Sequence, residues 1–303
     1  MGKKKKPNDH QLIAAINRRD IELLQKHLAD GADVNSILHF SPGNSTLLGY
    51  AAGAQFLVAV KLLLKLGADP NKGPTSEADT EGVRSTALGD ALNGDDTKVL
   101  EQDLEKKYEI INALLRAGAD VNADCPLYSA ARRGYFDICK RLIEVGARVK
   151  ELPPGCMPPL FGAVYNCAEA ENRDKIVNLL IENGAAIDAE TPWGASPLMG
   201  AAWRGIENLV NLFLELGADP NRQTRNDGQT ALTYAALYFK YDVFEEKGQQ
   251  RALRVVERLL EAGADPALRN KEGESAFDIA SGGKTPLVAD CIKRFMEKRP
   301  KTK

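Results

Sequence analysis

A short string, Gly-Ala-Asp-x-Asn, recurs along this chain of 303 residues and constrains its fold more than any other feature. Complete or weaker copies begin at Gly31, Gly67, Gly118, Gly146, Gly184, Gly217 and Gly263. Successive glycines lie 36, 51, 28, 38, 33 and 46 residues apart. These intervals indicate a repeated unit of about 33 residues with insertions and one deletion. Length alone suggests about two globular domains, but the repeats instead predict one array of small units.

A second motif precedes each copy of the first. Its clearest form is Gly-Ala-Ser-Pro-Leu-Met-Gly-Ala-Ala at positions 194–202, followed by a leucine-rich stretch at 209–214. The same register recovers motif starts at Thr46, Thr86, Cys125, Pro158, Thr230 and Ser275, and Leu12 lies in an additional first copy. We therefore count eight units.

The chemistry of these motifs predicts paired helices. Ser or Thr before the first helix can cap its free N–H groups, and Pro suits the first helical position. Gly after the leucine-rich helix permits a left-handed turn, in which Asp and Asn can bond to backbone groups. Since one such unit cannot bury its own apolar face, neighbouring units must stack.

The two motifs, at a fixed offset, resemble the ankyrin repeat. The resemblance implies an all-α solenoid of stacked helix-turn-helix units with projecting turns. We predict a single domain at 8–298, between a basic disordered tail at 1–7 and a second tail at 299–303. The predicted repeats are 8–35, 36–71, 72–122, 123–150, 151–188, 189–221, 222–267 and 268–298.

Repeats three, five and seven depart from the common length. Each carries extra residues between its two helices, which are either neutral loop variation or an extension of the binding rim. The interval of 28 residues leaves only two residues, 123 and 124, between Asn122 and Cys125. The projecting hairpin is therefore predicted to be missing at that point.

The resemblance also implies where a partner binds, because ankyrin proteins use their turn tips and the exposed surface of the first helices. The positions after the paired alanines should face this groove, and Tyr, Trp and Arg dominate interface hot spots. The predicted partner-binding residues are Arg132, Arg133, Tyr165, Trp193, Trp203, Arg204 and Tyr238. In the alternative interpretation the aromatic rings pack against insertion segments, and we assign Tyr234 to packing within the seventh repeat.

Two functions from different classes fit this surface. The first is a non-catalytic scaffold or inhibitor that binds a partner protein along the concave surface. The second is a receptor for a small anionic ligand, such as a nucleotide or oligonucleotide, held by stacked Trp and Tyr rings and Arg side chains. No motif of nucleophilic or metal-dependent catalysis stands beside the repeats, so we predict no enzyme; an unfamiliar active site is a minor third alternative. The motif asparagines at 35, 71, 122 and 221 match a position that is hydroxylated in some ankyrin proteins.

Composition limits the classes of protein and the cellular compartments that fit this chain. The chain contains 40 Lys and Arg and 42 Asp and Glu, and this balance argues against general nucleic-acid binding. It contains no apolar run of about 18 residues, so the sequence predicts no membrane-spanning helix. Five cysteines without a C-x-x-C pair favour a reduced, cytoplasmic protein. Three histidines, none close to a cysteine, argue against zinc. We predict a monomer without metal or cofactor.

Overall fold

The computed structural model describes residues 6–40, 43–73, 85–93, 101–150, 152, 155–167, 170–237, 246–282 and 285–298. Within these ranges the helices follow one another as eight consecutive pairs. The chain divides into two compact units, of which the first comprises Met1–Ala130 and Tyr135–Arg148, and the second Ala131–Gly134 and Val149–Lys303. No observation tests the predicted single domain, its tails or the repeat boundaries, which stay predictions.

The first unit contains the first three helix pairs, a hairpin, and most of a fourth pair. In chain order its elements are α1 (Asp9–Asn17), α2 (Ile21–Ala29), β1 (Ile37–Phe40), β2 (Gly43–Thr46), α3 (Leu47–Gly53), α4 (Leu57–Lys65), α5 (Ala87–Asn93), α6 (Glu101–Arg116), α7 (Pro126–Arg133) and α8 (Phe136–Glu144). The hairpin strands pair antiparallel, with Ile37 opposite Thr46 and Phe40 opposite Gly43. Helix α3 packs on α5, and α6 packs on both α4 and α8.

The second unit contains the remaining four pairs. Its helices are α9 (Pro159–Asn166), α10 (Ala170–Glu182), α11 (Pro197–Trp203), α12 (Glu207–Glu215), α13 (Ala231–Leu237), α14 (Glu246–Glu261), α15 (Ala276–Gly282) and α16 (Pro286–Lys298). Successive first helices pack in the order α9, α11, α13 and α15, while α14 packs on both α12 and α16. Stacking therefore buries the apolar face that one unit cannot bury alone.

Helix starts follow the predicted capping chemistry. The Thr46 hydroxyl accepts a hydrogen bond from the Gly49 amide at 3.0 Å, and the Ser196 hydroxyl accepts one from the Met199 amide at 3.3 Å. Thr230 caps α13 through the Thr233 amide at 3.1 Å. Each bond satisfies an N–H group that has no partner inside its helix.

The motif glycines end the second helices as predicted. All seven have positive φ angles, between 85° at Gly184 and 100° at Gly31. A side chain at Gly217, with φ of 86°, would strain the backbone because L-residues other than Gly rarely adopt this region.

The motif asparagines do more than the sequence predicted, since they join successive repeats. Asn71 Oδ1 accepts from the Asp120 amide at 2.7 Å, and its Nδ2 donates to the Gly118 carbonyl at 2.8 Å. Asn221 makes the same pair of bonds, to the Asp265 amide at 2.6 Å and the Gly263 carbonyl at 3.0 Å. One side chain thus bridges to the next copy of its own motif.

The extra residues of repeats three, five and seven are partly helical. Helices α6, α10 and α14 contain 16, 13 and 16 residues, whereas α2, α4, α8 and α12 contain nine each. The insertions therefore lengthen second helices instead of forming loops throughout.

The shortened connection before α7 is a tight turn without a described strand. Asp124 and Cys125 there have positive φ angles of 60° and 53°, and the Asp124 carboxylate accepts a hydrogen bond from the Thr86 amide. The expectation of five reduced cysteines is wrong for this structure, in which Cys125 and Cys156 are disulfide-bonded. The remaining cysteines, Cys139, Cys167 and Cys291, are free.

Candidate binding surface

Two exposed aromatic side chains lie on the second unit. Tyr165 occupies the last turn of α9, and Trp193 lies in the turn that precedes α11. Each is 38 % exposed. Large aromatic side chains usually bury most of their surface, so an exposed pair in one unit is a candidate contact for a partner.

Phe161 brings these two residues together. The Tyr165 ring stacks on Phe161 at a centroid distance of 5.2 Å and an interplanar angle of 14°. Trp193 meets the same ring edge-on, at 6.1 Å and 81°. Because Phe161 is only 3 % exposed, it forms a fixed base between two accessible rings. We call these three residues the aromatic cluster.

Trp203 lies differently from Trp193. It is half-buried, and its ring meets that of Tyr234 edge-on at 5.7 Å and 87°. Trp203 thus packs against the first helix of the following repeat, α13. The prediction that Tyr234 packs within its own repeat misses this contact.

The Tyr234 hydroxyl is held in its neutral form. Burial first, then the nearby Asp227 carboxylate and Tyr165 phenol, raise its pKa to about 12. An ionised Tyr234 would lie in a partly desolvated site beside other acidic groups.

Arg204 connects α11 to α9. Its guanidinium Nη1 donates to the main-chain carbonyl of Tyr165, one repeat earlier. The structure therefore brings four of the predicted residues into one region: Tyr165, Trp193, Trp203 and Arg204.

The other three predicted residues lie elsewhere in the chain. Arg132 and Arg133 are half-buried at the end of α7. Tyr238 lies outside the described residues. The binding roles of all seven positions stay predictions.

Sequence reasoning missed the ion pairs around Trp193. The Glu190 carboxylate accepts hydrogen bonds from both Arg222 and Arg225, in the turn one repeat later. The Arg225 amide also donates to the Trp193 carbonyl at 2.9 Å. A carboxylate shared by two arginines fixes adjacent turns relative to each other. No sequence pattern indicates these ion pairs, because Glu190 lies 32 residues from Arg222 and 35 residues from Arg225.

The described residues show neither a metal cluster nor a membrane span. None of their His, Cys, Asp or Glu side chains form a group of three or more that could hold a metal ion. No helix in the described ranges is long and apolar enough to cross a membrane.

Family models match the second unit. A model of ankyrin repeats in three copies matches residues 160–246, and a single ankyrin repeat model matches residues 227–271. The aromatic cluster lies within the first match.

Two curated relatives illustrate the likeness. Palmitoyltransferase ZDHHC13 of Mus musculus is 24 % identical over 248 residues, covering 63 % of this chain and 38 % of the mouse protein. The putative ankyrin repeat protein YahD of Escherichia coli (strain K12) is 28 % identical over 219 residues, covering 72 % of this chain and the whole of YahD. The chain therefore spans well under half of the mouse relative.

A solved structure has a similar fold. The crystal structure of the human ASB11 ankyrin repeat domain superposes with a TM-score of 0.59 at 26 % identity, covering 87 % of this chain and 100 % of that domain. The all-α fold of stacked helix pairs predicted from the sequence is confirmed.

Proposed function

Because the chain is an ankyrin repeat protein, we propose that it is a non-catalytic scaffold or inhibitor that binds a partner protein through the aromatic cluster. Ankyrin repeats are generally protein–protein interaction modules. The observation that carries the proposal is that Tyr165 and Trp193 both remain exposed on either side of the buried Phe161.

The neighbouring side chains support this choice. Trp and Tyr are the residue types that contribute most to binding when a partner covers them. Phe161 and the Glu190–Arg225 pair hold the two rings in place before binding. Preorganised rings lose little conformational entropy on association, so more of the contact energy appears as affinity.

A nucleotide receptor at the same rings has weaker support. Stacking of a base needs an accessible ring face with an unengaged cation nearby. Trp203 meets Tyr234 instead, and Arg204 already donates to the Tyr165 carbonyl. The protein-binding function is therefore the better proposal for this surface.

The test first compares, by quantitative mass spectrometry, the partners captured by the wild-type protein and by the double variant Tyr165→Ala/Trp193→Ala. The affinity of each protein for the purified partner is then measured. We expect the double variant to bind at least about 30-fold more weakly, since hot-spot truncations cost about 2 kcal/mol or more. This pair is sharper than Trp203→Ala/Arg204→Ala, which would also remove the packing of Trp203 on Tyr234.

The matched control is Leu216→Ala, which removes a side chain that is 45 % exposed at the end of α12. It should leave binding unchanged, and circular dichroism should show that all variants are folded. Equal affinity of the wild type, the double variant and the control would contradict the proposed position of the binding surface. A cytoplasmic setting and a monomeric state are part of the proposal.

A further inference from the structure

A cleft of about 650 Å³ lies in the second unit, and no ring of the aromatic cluster is among its lining residues. It is formed where the start of the short helix α12 lies between the longer helices α10 and α14. Four arginines line it: Arg173, Arg204, Arg251 and Arg254. We call it the arginine cleft. Its volume is within the range of small-ligand sites.

The charges in the arginine cleft do not balance. Arg173 Nε donates to Asp174 Oδ1 at 3.2 Å, and Arg254 Nε donates to Glu207 Oε2 at 2.6 Å. Arg204 bonds only an uncharged carbonyl, and Arg251 makes no ion pair with another described residue. Among these described side chains, four cations against two carboxylates leave a net charge of +2.

Arg173 shows that the site is built into the fold. The residue is only 8 % exposed, so its charge is largely removed from water. Among the described residues Asp174 is its sole hydrogen-bond partner, and that bond uses Nε alone. No described residue bonds the terminal nitrogens of this buried guanidinium, which can therefore bind a group in the cleft. Buried charges are costly unless they are paired and hydrogen-bonded.

Cross-helix hydrogen bonds hold the walls of the cleft. Asn208 of α12 donates to Asp174 Oδ2 of α10 at 2.9 Å, and Arg258 of α14 donates to Asn211 Oδ1 of α12 at 2.7 Å. Helix α12 begins in the cleft, and its N-cap, Ile206, supplies no capping side chain. The positive end of the helix dipole adds to the field of the arginines.

We propose that the arginine cleft binds a multiply charged phosphate group. A phosphomonoester carries a charge of about −1.5 to −2 at pH 7, which matches the net charge of +2. Guanidinium groups bind phosphate oxygens in bidentate geometry. The same chemistry has two sources, a free polyphosphorylated molecule or a phosphorylated segment of a partner.

The test is calorimetric titration of the full-length chain at 0.15 M salt, which screens exposed charges beyond about 8 Å. The probes are inorganic tripolyphosphate, a peptide with two phosphoserines, and the same peptide unphosphorylated. We expect at least one phosphate probe to bind and the unphosphorylated peptide not to bind. Tighter binding of tripolyphosphate identifies a free ligand, whereas tighter binding of the phosphopeptide identifies a modified partner.

The diagnostic variant is Arg251→Glu, and the matched control is Arg294→Glu on the exposed side of α16. Both make the same change in net charge, but only Arg251 lines the cleft. Arg251→Glu should weaken phosphate binding at least tenfold, and Arg294→Glu should change it less than threefold. If Arg251→Glu does not fold, Arg204→Gln takes its place, because Gln can still donate to the Tyr165 carbonyl.

Two results would overturn the proposal: no binding of either phosphate probe, or equal weakening by the cleft variant and the control. The cleft adjoins the aromatic cluster through Arg204, but that hydrogen bond is to the main-chain carbonyl of Tyr165, which the double variant keeps. Tyr165→Ala/Trp193→Ala should therefore keep phosphate binding, so failure of one proposal is distinguishable from failure of the other.

Discussion

At the scale of the residue, Asp188 departs from the pattern by which motif asparagines such as Asn71 and Asn221 bridge successive repeats. It occupies the position of the motif asparagine, and its Oδ2 accepts from the Asp219 amide at 3.4 Å. Its Oδ1 is buried without a hydrogen-bond partner among the described residues. At Asn221 the side-chain nitrogen donates to the Gly263 carbonyl. The Asp188 carboxylate has no N–H group and therefore cannot make the equivalent hydrogen bond.

We expect Asp188→Asn to stabilise the second unit by about 1 kcal/mol, the usual net value of one hydrogen bond. The new Nδ2 would donate to the Gly217 carbonyl, as Asn71 Nδ2 donates to Gly118 and Asn221 Nδ2 to Gly263. Urea unfolding measures the gain. The control is Asp219→Asn, which makes the same charge change but keeps the acceptor for Asn221; a gain there as large as in Asp188→Asn would contradict the explanation.

Tyr234 predicts a pH dependence at alkaline pH. Its pKa is raised from 10.0 to about 12 in the folded chain, so the folded state keeps a proton that the unfolded state loses. Stability should therefore fall as pH rises from about 10 to about 12. We expect a smaller fall in Tm over this range in Tyr234→Phe, and one late-titrating phenol missing from its absorbance titration. An unchanged titration curve would show that another tyrosine is responsible.

At the scale of the element, a buried lysine ties the lengthened helix α6 to its neighbours. Lys107 is 1 % exposed, and its Nζ donates to the Ala91 carbonyl of α5 at 3.1 Å. The ammonium also lies 5.3 Å from the centre of the Tyr135 ring, which precedes α8. One residue of the third repeat's insertion thus contacts both the helix before α6 and the residue before α8.

We expect Lys107→Met to lower the free energy of unfolding by about 1–3 kcal/mol, because it leaves the buried Ala91 carbonyl without this donor. Met keeps an unbranched stem of similar length, so the change removes the ammonium with both of its contacts, to the Ala91 carbonyl and to the Tyr135 ring. The matched control is Lys106→Met, whose side chain forms a surface pair with Asp103 at 3.5 Å and which should cost less than about 1 kcal/mol. Equal effects of the two would mean that the contact contributes nothing.

Element positions were largely predictable from the sequence. Thr46, Ser196 and Gly217 lie where capping chemistry and left-handed turns require them, because these effects depend on residues only a few positions apart. The lengthening of α6, α10 and α14 was visible only as extra residues. Whether an insertion becomes helix depends on the neighbouring helix against which it packs.

At the scale of the whole molecule, contacts are local to each repeat and its neighbours, as in other repeat proteins. Destabilising one unit should then unfold it before the other. We expect Phe213→Ala, which empties a fully buried position in α12, to cost about 3–5 kcal/mol and to lose hydrogen-exchange protection first in the second unit.

The reciprocal variant is Leu63→Ala, at a fully buried position in α4 of the first unit. It should reverse the order, so that amides of the first unit exchange first. Uniform loss of protection in both units by both variants would show that the chain unfolds as one cooperative body.

The sequence by itself determined the repeat, its caps and turns, and the exposed positions of Tyr165 and Trp193, because these follow from periodicity and local chemistry. Only the tertiary structure decided that Phe161 joins those two rings and that Trp203 packs on Tyr234. It also decided that arginines from two helices and a turn line one cleft. Apart from Phe161 and Tyr165, which share α9, these contacts join residues about 30 to 80 positions apart, and their partners are set by how helices of different length stack.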